Sequence, residues 1–156
     1  MKRKRKSILK FIPLTLMLIV IFVFSQMPGD ESGETSGKLL EIVEKVYEGL
    51  VNRSLTLDAK ESLHWLLRKA AHFCEFGLLG LTALYAFRDF FVPLKKNFKL
   101  CLYSELIVII SAALDELHQY FIPGRYMALL DVFIDSSGGL LAILTVFFLF
   151  IKKRQK

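Results

Sequence analysis

HWLLRKAAHFCEFGLLGLTALYAF, residues His64–Phe87, is apolar along most of its length but carries Arg68, Lys69, His72 and Glu75 in its first half. At about 1.5 Å rise per residue, a helix of this length reaches about 36 Å, enough to cross a hydrocarbon core of about 30 Å. The helical repeat brings His64, Arg68, His72, Glu75, Thr82 and Ala86 into one stripe, with Lys69 just beside it. Facing lipid at mid-bilayer, each such charge would cost about 2.5–3.5 kcal/mol. The stripe must therefore face other helices or a wet cavity. A spanning helix with its polar groups turned inward is the reading that satisfies both halves of the stretch.

Three further apolar stretches flank it: Ile8–Met27, Leu100–Phe121 and Val132–Ile151. In a chain of 156 residues that is 54% hydrophobic with 14 Phe, they predict a single all-α domain over residues 1–156, a four-transmembrane-helix bundle. No strand-period alternation of about ten residues recurs, which argues against a membrane β-barrel. Lys2, Arg3, Lys4, Arg5, Lys6 and Lys10, then Arg88, Lys95, Lys96 and Lys99, then Lys152, Lys153, Arg154 and Lys156 hold fourteen of the 21 Lys and Arg residues. Under the positive-inside rule these mark the cytoplasmic side, so both termini are expected in the cytoplasm of a multi-pass membrane protein. The net charge of +6 reflects this sorting and attraction to anionic lipid heads. The basic residues form no single patch on a soluble domain, and nucleic acid is not an expected partner. The first stretch also fits a secretory signal ending at Val23-Phe24-Ser25; the expectation taken forward is a retained span.

The loop Pro28–Ser62 lies on the outer side under this topology. Met27-Pro28-Gly29-Asp30 reads as a stop and turn, followed by a short amphipathic helix from about Gly37 to Asn52 with Leu39, Val43, Val46 and Leu50 on one face. That helix can cover the polar end of the bundle or act as a connector packed on the spans, and the connector is preferred. Cys74 and Cys101 fall on opposite halves of the bundle, too far apart for a disulfide.

The remaining polar groups gather near the ends of spans. Asp115, Glu116, His118 and Gln119 close the third, Arg125 lies in the turn Ile122-Pro123-Gly124-Arg125, and Asp131 and Asp135 open the fourth. With Lys69, His72 and Glu75 they are expected to meet at a single membrane surface. Asp115 and His118, three residues apart, can hydrogen-bond along one face. Glu116 is turned toward headgroups or a different helix, and Arg125 is the expected countercharge for the carboxylates. Asp131 and Asp135 suit a helix N-terminus, and Gly138 and Gly139 are read as packing positions. Metal-ligand types are present, yet neither an HExxH pair nor another recurrent zinc spacing occurs, so no metal and no cofactor are expected. No serine sits in a GxSxG turn. Acid–base work by a histidine beside carboxylates stays chemically open.

These residues carry a resemblance. Lys69-Ala-Ala-His72-Phe-Cys-Glu75-Phe-Gly77, Asp115-Glu-Leu-His-Gln-Tyr-Phe-Ile-Pro-Gly-Arg125, Asp131-Val-Phe-Ile-Asp135-Ser-Ser-Gly138 and Phe24-Ser-Gln-Met-Pro-Gly29 together resemble the signatures of the VanZ-like family, from about Phe24 to Gly139. The resemblance implies a part in low-level resistance to teicoplanin-type glycopeptides, without implying an enzyme. It places Lys69, His72, Glu75, Asp115, Glu116, His118, Gln119, Arg125, Asp131 and Asp135 at signature positions. Tyr126-Met-Ala-Leu-Leu130 is more apolar than is usual there, and Phe24-Ser-Gln-Met-Pro-Gly29 has one serine where two adjacent ones are common. The expected partners are membrane lipids and a lipid-linked cell-wall precursor or a lipoglycopeptide. An accessory role, with Lys69 and Arg125 contacting an anionic headgroup, is set against a membrane-embedded enzyme using His72 or His118, and against a purely structural ion-pair lattice.

Overall fold

The computed structural model describes residues 8–89 and 97–154, and every regular element among them is helical: α1 (Phe11–Ser25), α2 (Gly29–Val51), α3 (Leu57–Phe87), α4 (Asn97–Gln119) and α5 (Leu129–Arg154). The expected basic residues at positions 2–6, 95, 96 and 156 lie outside the described residues. Among the described residues two helices are long and apolar enough to cross a membrane, α3 and the Leu129–Leu149 part of α5, while α1 is apolar but shorter.

The helix ends follow from local chemistry. Pro13 sits in the first turn of α1, where its missing N–H is no loss. Thr56 caps α3 by accepting the Ala59 N–H at 3.4 Å, with Asp58 in the first turn beside the positive dipole end. Asn52 ends α2 in the left-handed conformation at φ 53°. One boundary differs from expectation. α2 starts at Gly29 rather than near Gly37, so the turn at Met27-Pro28 breaks the chain only briefly. The Gly29 N–H, which no intrahelical acceptor can reach, donates to the Pro123 carbonyl at 3.1 Å. Two Pro-Gly corners thus clasp each other, and Gly124 takes φ 74° as its reversal requires. A side chain on Gly29 would collide with the Gly124 carbonyl.

α3 and α5 share the most extensive contact, α4 packs on α5, and α1 lies against α3. Phe76, Leu79, Ala83, Val108, Ala112 and Ile143 form the fully buried apolar centre. Gly138 permits the α3–α5 approach, because a Cβ there would run into the Phe73 carbonyl; the packing reading of this glycine holds. Cys74 and Cys101 are unpaired.

The distribution of polarity runs opposite to that of a water-soluble bundle. Asp115, Glu116, Gln119 and Asp135 are buried, while Leu16, Ile19, Phe22, Ile110, Leu114, Phe133 and Leu141 are exposed. Such an exterior is costly in water and natural against hydrocarbon.

Candidate functional site

Three helices deliver the acidic and basic side chains to one end of the bundle. Lys69 of α3 donates to Asp131 of α5 at 2.5 Å, with both side chains about one-fifth exposed, and its ammonium lies 5.7 Å from the Trp65 ring. Just below, His72 Nδ1 stands 3.7 Å from Asp135 Oδ2, a charge-pair distance too long for a hydrogen bond. Asp135 is 0% exposed, and neither of its oxygens has a hydrogen-bond partner among the described residues. From α4, Asp115 accepts the Gln119 amide N–H at 2.6 Å. Its other oxygen is buried without a partner, as is Glu75 Oε1.

Beside these groups lies a cavity of about 240 Å³, lined by Arg68, His72, Glu75, Asp115, Gln119 and Arg125 on its polar side. Its apolar wall includes Ile21, Met27, Leu39 and Leu67. Ser36 and Leu39 come from α2, so this helix covers the polar end in addition to packing on α3; the connector reading was too modest. Ser36 Oγ also meets His64 Nε2 at 2.6 Å, which fixes the cover to the start of α3.

Arg125 reaches back across the corner, where one Nη donates to the Phe24 carbonyl at 3.5 Å. It makes no ion pair within 4.0 Å among the described residues, and its Nε is buried without a partner. Burial, then the neighbouring Arg68 guanidinium, pushes Arg125 below its ordinary pKa, with Asp115 and Glu116 pulling the other way. An arginine keeps its charge through such a shift. The cavity therefore carries two guanidinium groups that repel each other.

Several sequence expectations need correction. Asp115 pairs with Gln119 rather than His118, because four residues along a helix align the two side chains as well as three do. His118 instead lays its ring 5.2 Å from that of Phe22 on α1, with its Nε2 unpartnered. Arg125 is not the direct partner of a carboxylate; the chain after Gly124 sends it toward Phe24. Lys69 is taken by Asp131 and does not line the cavity, where Arg68 stands instead. Of the two directions expected for Glu116, headgroups or a different helix, the second is observed. Glu116 is 0% exposed, and its Oε2 accepts the Ala128 N–H at 2.8 Å, which fixes the segment entering α5.

Sequence reasoning named Arg68 in the stripe but left it out of the site. It left out Ser25, Ser36 and Glu105 as well. Ser25 is 3% exposed with an unpartnered hydroxyl. Glu105 buries an unpartnered oxygen farther along α4, away from the cluster; a lone carboxylate inside the apolar run Leu100–Leu114 was the available signal.

A small helical bundle that exposes leucine and buries aspartate defines a class, that of membrane-associated helical proteins. The chain belongs to the VanZ/LLP1 family, whose model matches residues 10–151, nearly the whole length and more than the motif-bearing part from Phe24 to Gly139. No curated protein and no solved structure matches it.

Proposed function

We propose that the protein is a multi-pass component of the bacterial cytoplasmic membrane whose outer-side cavity binds an anionic amphiphile and so lowers the action of teicoplanin-type glycopeptides. In this reading α1, α3, α4 and α5 span the bilayer with both termini in the cytoplasm. The sorting of basic residues and the apolar exterior support it. α2 then lies at the outer surface, over the cavity. One observation carries the ligand class: Arg68 and Arg125 line the same half-buried space beside an apolar wall and, although Glu75 and Asp115 line it too, neither guanidinium lies within 4.0 Å of a carboxylate among the described residues. Guanidinium groups so placed suit phosphate or carboxylate oxygens, and the wall suits an acyl chain. Membrane lipid, a lipid-linked cell-wall precursor and a lipoglycopeptide share that chemistry. Expression in a susceptible cell should reduce sensitivity to teicoplanin more than to vancomycin. Equal sensitivity with and without well-expressed protein overturns the resistance role.

A second reading, a membrane-embedded enzyme acting on a lipid-linked substrate, is favoured by the His72–Asp135 distance of 3.7 Å beside the same cavity. There His72 would carry a proton and Asp135 orient it. Turnover of such a lipid by purified protein, lost in His72→Ala with the fold retained, supports this reading; persistent lipid binding without turnover excludes it.

A further inference from the structure

His72 on α3, Asp115 on α4 and Asp135 on α5 each offer a ligand atom, and the three atoms lie within 4.8 Å of one another. We propose that these three side chains hold a divalent first-row transition cation, at a site adjoining the cavity that Arg68 and Arg125 also line. The inference adds a site to the headgroup reading and does not depend on it.

The strongest support is what the carboxylates lack. Asp135 is completely buried, and among the described residues its oxygens have no hydrogen-bond partner, only the His72 ring at 3.7 Å. Asp115 is 7% exposed, and only one of its oxygens is occupied, by Gln119. His72 Nδ1 is buried without a hydrogen-bond partner and faces Asp135. The nearby ammonium, that of Lys69, is committed to Asp131, and neither Arg68 nor Arg125 pairs with the cluster within 4.0 Å among the described residues. Buried carboxylates are normally paired, hydrogen-bonded or bound to a metal. A cation among these three atoms supplies the missing positive charge and fills the free lone pairs together.

The donor set and spacing fit. A four-coordinate ion with bonds of about 2.1 Å holds its ligands about 3.4 Å apart, and His72 Nδ1 to Asp135 Oδ2 already measures 3.7 Å. Small side-chain rotations close the remaining gaps. One imidazole with two carboxylates suits zinc, manganese or iron, whereas magnesium favours an all-oxygen shell with several waters. Gln119 acts as a positioning residue, since its amide fixes the Asp115 carboxylate with one oxygen turned free. His72 and Asp115 also line the cavity, so further coordination positions are reachable from it.

The test uses the full-length protein purified in detergent, treated with a chelator and titrated with Co2+. One equivalent is expected to bind, with the visible absorption of a low-coordinate cobalt centre and a higher melting temperature. Zn2+ should displace it and Mg2+ should not. His72→Gln and Asp135→Asn should each weaken cobalt binding at least tenfold, and Gln119→Ala about 10–100-fold. Glu48→Gln, which removes an exposed carboxylate on α2, should bind as the parent does. If the ligand variants fail to fold, the parent titration alone decides. No saturable binding by the folded parent at millimolar Co2+, the result expected of a protonated acid cluster, overturns the proposal. So does binding unaffected by Asp135→Asn.

Discussion

The seam between α3 and α5 is built in two different ways along its length. Lys69, His72, Gly77 and Gly80 meet Asp131, Asp135, Gly138 and Gly139 in order, so the two helices run in the same direction. In its first half the seam is made of charged side chains, with Lys69 and Asp131 in contact and His72 and Asp135 standing 3.7 Å apart. In its second half the backbones touch, with the Phe73 carbonyl against Gly138 and Gly80 against Gly139. The glycine half supplies the rigidity, since small residues let helices approach closely and gain dispersion contact. The polar half can then keep buried acids incompletely paired, at a cost the packing below offsets. A functional site is the usual reason to retain such groups.

Breaking the packed half should have the largest effect. Gly138→Val places side-chain atoms against the Phe73 backbone, which cannot swing aside as a flexible side chain would. The expected loss is about 3 kcal/mol, read as a lower unfolding midpoint in detergent, with weaker cobalt binding because His72 and Asp135 are driven apart. Removing the carboxylate that fixes the entry to α5 should come next. Glu116→Ala leaves the Ala128 N–H without its acceptor and should cost about 2 kcal/mol, whereas Glu116→Gln retains an oxygen acceptor and should lose less. The smallest effect is expected at the mouth of the polar half. Lys69→Met deprives Asp131 of its partner, but Asp131 stands in the first turn of α5, where the positive helix end still stabilises its charge, so the loss should be about 1 kcal/mol. Adding Asp131→Asn should restore part of it.

The packed half was the more legible of the two from sequence. Gly138 and Gly139 occur after two acids on one helix face, and close approach was the direct reading. The convergence of Lys69 and His72 with Asp131 and Asp135 was legible as well, because apolar length sets which helix ends meet. Individual partners were not. Helical periodicity gives the direction in which Glu116 points but not the path of the chain after Gly124, and that path is what brings the Ala128 N–H to it. The same holds for Arg125, whose position depends on two Pro-Gly corners clasping across nearly a hundred residues of sequence. α2 was read too short because Gly29, Gly33 and Gly37 each weaken a helix by about 1 kcal/mol. Contact with α3 and the bond from Gly29 to Pro123 override that preference. No spacing rule could assemble His72, Asp115 and Asp135, since each comes from a different helix.

If the cavity opens on the outer side of the membrane, cysteine labelling on intact cells will reveal it. In a Cys74→Ala, Cys101→Ala background, Tyr126→Cys places a thiol at an exposed position beside the cavity, and Arg88→Cys places one at the opposite end of α3. A membrane-impermeant maleimide should label the variant at position 126 on intact cells and the variant at position 88 only after permeabilisation. Labelling in the reverse pattern would put the acids and arginines on the cytoplasmic face and contradict the account.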